Sequence, residues 1–122
     1  MDRIVLDLLY YAMVGAFFTH ELDAVKRHEW RILPLTSFLP ERLGEQTFIW
    51  LHVPLFALVL WGGDGDPTSA TRIGLAAFAI VHVVLHALFR RHPAYEFDNP
   101  SSWALIILTG VTGAAYLGAL YA

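Results

Sequence analysis

The chain has 122 residues, enough for one domain. Hydrophobic residues make up 57 % and charged residues 16 %, against roughly 45–50 % and about 25 % in soluble domains. The net charge of −3 gives no basis for a nucleic-acid partner, and the absence of cysteine excludes disulfides, thiolate metal sites and thiol redox chemistry.

Mean hydropathy is +0.52, which points to a membrane. Four apolar segments predict an all-α chain, a four-helix transmembrane bundle forming a single integral membrane domain over residues 1–122. The first helix is expected over about residues 4–31, continuing past its apolar part through His20 and His28 and ending before Pro34. Asp2 and Asp7 near its start, and the lack of a small-residue cleavage site, argue against a signal peptide. The second helix is expected over about 43–61, starting after Pro40 near Glu41 to Glu45, with Pro54 kinking it beside His52. "GGDGDPTSATR" follows; its "GDGD" resembles the start of a calcium loop but lacks the remaining ligands, so it reads as a turn. The third helix is expected over about 70–91. "HPAYEFDNPSSW" then leads to a fourth over about 101–121, with Asn99 as N-cap and Pro100 at the first helical position. Gly110, Ala114 and Gly118 recur every four residues on this helix, a spacing that permits close helix packing or a homodimer contact.

Lys26, Arg27, Arg31, Arg42, Arg90 and Arg91 fall at one end of such a bundle, and Arg3 and Arg72 at the other. The positive-inside rule then places the first end in the cytoplasm and both termini outside. All six histidines fall at this same end. At 100° per residue, His20, Glu21 and His28 share a face of the first helix. Glu45 and His52 share a stripe on the second, and His82 and His86 are i,i+4 neighbours on the third, the spacing of helical zinc ligands. Glu29 points away from this face and is expected in solvent. His92 is a weaker candidate, and Asp23, Glu96 and Asp98 are expected as surface or supporting groups, with Asp23 paired to Arg27.

Ionisable groups inside a bilayer are costly and usually face the bundle interior. A metal site of His20, Glu21, His28, Glu45, His52, His82 and His86 would satisfy them, with Glu21 and Glu45 as catalytic acids or bases. Nitrogen and carboxylate donors without sulfur suit iron or zinc, as one or two ions. The Glu-x-x-His signature of di-iron bundles is absent, as are the His-His doublets of membrane desaturases.

The stretches "FFTHELDAVKRHEWRILPL", "FIWLHVPLF", "IVHVVLHALF" and "HPAYEF" resemble an uncharacterised family of small bacterial and archaeal four-helix membrane proteins. That family carries a His-Glu-Leu-Asp signature, met here by His20, Glu21, Leu22 and Asp23. The chain is also loosely similar to membrane proteins named for a His-x-x-Glu-Glu motif, although Asp23 and Ala24 stand at the two Glu positions. The resemblance implies a fold and a shared polar site but no reaction. The expected function is a membrane metalloprotein acting as an enzyme on a lipid or other hydrophobic substrate, by oxidation with iron or hydrolysis with zinc. The alternatives are a non-catalytic carrier or pH sensor, and a haem protein clamping its cofactor between, for example, His52 and His82.

Overall fold

The computed structural model describes residues 2–122, all-helical with no strand among them. Helix α1 spans Arg3–Lys26, α2 Glu41–Gly62, α3 Ala70–Phe89 and α4 Pro100–Tyr121, with a short 3-10 turn at Glu29–Arg31. The caps follow side-chain chemistry. Asp2, Ser69 and Asn99 accept from the backbone N–H of Ile4, Arg72 and Ser102 at 3.0, 3.2 and 2.9 Å. Pro100 takes the first position of α4 as expected, and α2 starts directly after Pro40. In the "GDGD" turn, Asp66 accepts from the Thr68 N–H and hydroxyl, both at 2.8 Å, which holds its carboxyl below the usual range.

Helices α2, α3 and α4 are each long and apolar enough to cross a membrane. At ~1.5 Å per residue their 20–22 residues reach about 30–33 Å, the thickness of a hydrocarbon core. Helix α1 is as long but carries Asp7, Glu21 and Asp23. Each acid has a partner: Asp7 with Arg72 at 2.6 Å, Glu21 with His52 at 2.5 Å, and Asp23 with Arg27 at 3.2 Å and Ser102 at 2.5 Å. Such pairing is what permits acids on a helix inside a bundle.

Helix α4 packs along both α1 and α3, and two glycines let it approach α3 closely. A Cβ on Gly110 would lie 2.5 Å from Val83 Cγ2, and one on Gly113 would lie 2.7 Å from the Ala76 carbonyl. The close-packing face is thus Gly110 with Gly113. Ala114 and Gly118, expected on the same stripe, are exposed. The variant Gly113→Leu should destabilise the bundle by about 1–3 kcal/mol through overpacking. Gly15→Leu should not destabilise it, because no described atom lies within 4 Å of its added Cβ and leucine has the better helix propensity. Equal thermal melting of the two variants in detergent would contradict the α3–α4 contact.

The end bearing the α2–α3 turn is locked by Arg72. Its guanidinium is buried, bonds Gly63 O and Asp7 at 2.6 Å each, and stacks 4.5 Å from the Tyr10 ring. Helix α2 meets its neighbours over a shorter length than the other three. It stands off α3 and leaves a cleft of about 890 Å³ between them, with Phe17 and Glu21 of α1 also in its lining. Pro54 is exposed and takes no part in that lining.

Candidate metal centre

At the opposite end from Arg72, α1 does not continue to Arg31. It stops at Lys26, and His28 takes a left-handed conformation at φ 57° and ψ 45°. That region costs an L-residue roughly 1–2 kcal/mol, and His tolerates it better than most. Several contacts hold the turn. The His28 ring meets Glu96 at 2.6 Å. Trp30 is buried against Phe48, and its carbonyl accepts from Thr36 Oγ1 at 2.8 Å. Gly44 leaves room for the indole, since a Cβ there would lie 3.2 Å from Trp30 Cδ1. Arg31 binds Glu41 at 2.6 Å.

The consequence is a change in the donor set. On a continuous helix Glu29 lies nine residues, about 900°, from His20 and therefore on the opposite face. The left-handed step at His28 reverses this. Glu29 turns inward and is 7 % exposed, so the expectation of a solvated Glu29 is corrected. His28 instead turns outward and is 37 % exposed at the side chain, away from the cluster.

His20, Glu29, His82 and His86 each offer one ligand atom, and these atoms all lie within 4.8 Å of one another. All four residues are buried. His82 Nε2 and His86 Nε2 are 3.1 Å apart, and His86 Nε2 lies 3.3 Å from Glu29 Oε1. The His20 ring stands 4.5 Å from His82 and 5.2 Å from His86. Neither nitrogen of His20, nor His82 Nδ1, has a hydrogen-bond partner among the described residues. Buried donors and acceptors without partners are rare and costly. A tetrahedral metal with bonds of ~2.0–2.1 Å needs donors about 3.4 Å apart, so contraction by about an ångström would complete such a shell. The cluster could therefore hold a metal.

Glu21 and His52 stand beside this cluster as a pair. Glu21 Oε2 meets His52 Nε2 at 2.5 Å, and its Oε1 lies 3.8 Å from His20 Nε2. His52 Nδ1 faces the Phe48 carbonyl at 2.6 Å. A carbonyl only accepts, so this network assigns a hydrogen to Nδ1. The other ring nitrogen then shares one proton with the carboxylate. Glu45 is half-buried in the second turn of α2 and does not join the cluster; His92 is exposed and caps its own turn through Ala94 N at 3.0 Å.

The α3–α4 loop closes the cluster from above. Phe97 is fully buried, with its ring 4.7 Å from His86 and 5.7 Å from His20. The Tyr95 hydroxyl lies 3.1 Å from His86 Nδ1. Burial, with Asp98 adding to it, pushes the Tyr95 phenol well above its usual range, so the hydroxyl stays protonated and can accept from the ring. Such a partner fixes the orientation of a ligating imidazole. Tyr95→Phe should weaken metal affinity about 10–100-fold with the fold intact, as measured by competition with a metal chelator. Glu29 reads as a solvated residue from helical periodicity, and nothing in the spacing marks Tyr95.

Over residues 6–122 the chain matches the family described as "Family of unknown function (DUF6713)". No curated protein and no solved structure matches it.

Proposed function

The chain belongs to the DUF6713 family, whose function is unknown, and we propose from its site that it is a membrane metalloenzyme acting on a hydrophobic substrate. His20, Glu29, His82 and His86 hold one divalent cation. The observation that carries this reading is the convergence of four buried donors, with both His20 nitrogens and His82 Nδ1 lacking a hydrogen-bond partner among the described residues. Nitrogen and carboxylate donors without sulfur suit zinc or iron. The cation would supply a Lewis acid, and iron would add redox chemistry.

The Glu21–His52 pair does the proton work. It shares a proton, borders the cluster and opens onto the α2–α3 cleft, where a substrate would arrive. This role retains Glu21 as the catalytic carboxylate and assigns none to Glu45. The position of His52 favours proton transfer over haem ligation, because both ring nitrogens already face oxygen atoms. Protein purified in detergent without chelator should carry close to one zinc or iron per chain by elemental mass spectrometry. Metal-free protein that also refuses reloading with both ions would overturn the assignment.

A further inference from the structure

We propose that the α2–α3 cleft binds one hydrocarbon chain of a long-chain fatty acid or fatty acyl ester drawn from the bilayer. The tail lies along the helices and the carboxyl or ester end sits at the His/Glu cluster. The fate of that polar end rests on the metalloenzyme reading, whereas the binding itself does not.

Three observations carry the assignment. The cleft lies between two helices that are long and apolar enough to span a membrane, so it lies at the depth of the hydrocarbon. Its charged and imidazole groups are confined to one end, where Glu21, Glu29, His52, His82 and His86 line it. From His82 back to Ala70, its far limit on α3, are twelve residues, about 18 Å of helix. One leaflet contributes about half of the ~30 Å hydrocarbon core, so the cleft suits a single chain in length. An apolar helix from a second copy would leave the polar end facing hydrocarbon, whereas a fatty acid brings its own oxygens there.

Gly74 supplies the second argument. It lines the cleft in the interior of α3, where glycine lowers helix stability relative to alanine. No packing contact requires it, because nothing lies within 4 Å of where its Cβ would be. The missing side chain leaves the cleft open. A leucine there would occupy the space of the tail while improving helix propensity, so the variant should fold.

The test uses palmitic acid carrying a diazirine at its terminal carbon, with the full chain in nanodiscs and adducts mapped by peptide mass spectrometry. Adducts are expected at the far end of the cleft, on residues such as Leu58, Ala70 and Thr71, and suppressed by excess palmitic acid. Gly74→Leu should reduce them about tenfold, because the leucine side chain displaces methylenes of the tail from the cleft, with metal content unchanged. Gly118→Leu, equally free of described neighbours but exposed on α4 away from the cleft, should label like wild type. His82→Ala should lose metal and keep the adducts, which separates failure of the metal reading from failure of this one. Labelling that is equal in Gly74→Leu and wild type, or spread over all bilayer-facing helices, would overturn the proposal. So would cross-links joining two copies of the chain at the cleft in place of palmitate adducts.

Discussion

A double variant His82→Ala, His86→Ala is expected to bind its metal more than about a thousandfold more weakly than wild type. The estimate is simple. A four-ligand zinc site supplies about 10–16 kcal/mol, so removing two of four donors forfeits several kcal/mol at ~1.4 kcal/mol per tenfold. The two rings occupy one face of α3 with their Nε2 atoms 3.1 Å apart. Chelator competition with zinc would measure the loss, and circular dichroism would show that the helices persist. His28→Ala is the matched control, because that ring binds Glu96 at the surface. Retained affinity in the double variant would mean that the cluster is a packing feature.

The second large effect is expected at Glu29. Glu29→Gln should weaken metal binding by about a hundredfold or more, a quarter of the same ligand energy. Glu45→Gln should leave it unchanged, and Glu21→Gln should reduce turnover while sparing the metal. Glu29 lies 3.3 Å from His86 Nε2, whereas Glu21 is engaged by His52. Equal losses at Glu29 and Glu45 would place the site nearer the start of α2 than the geometry does. These three acids thus discriminate between the donor set read from helical periodicity and the one created by the turn after α1.

The comparison shows what helical spacing can carry. Period and caps were legible: the four helices, Asn99 with Pro100, the Asp23–Arg27 pair, and the shared face of His82 and His86 all followed from local rules. The convergence of His20 with that pair followed from depth, since all lie at one end of the bundle. What did not follow was the end of α1. A helical wheel presumes an unbroken helix, and a single left-handed residue at His28 exchanged Glu29 for His28 in the interior. The signals for that step are tertiary: the Trp30 pocket over Gly44 and the Glu96 contact from a distant loop. Glu45 failed for a related reason, since it lies seven residues, about 10 Å, before His52 on the helix that stands furthest from the others. Arg72, a flanking charge by its place in the sequence, is buried and paired with Asp7, so it belongs to the scaffold.

The central claim is that one metal is held by three imidazoles and Glu29. X-ray absorption at the metal edge, on detergent-purified protein loaded with zinc, tests it most directly. The account predicts a shell of nitrogen and oxygen at about 2.0–2.1 Å whose outer-shell scattering fits three imidazoles, falling to two in His20→Ala. A shell of oxygen alone, or one unchanged when His20 is removed, would contradict it.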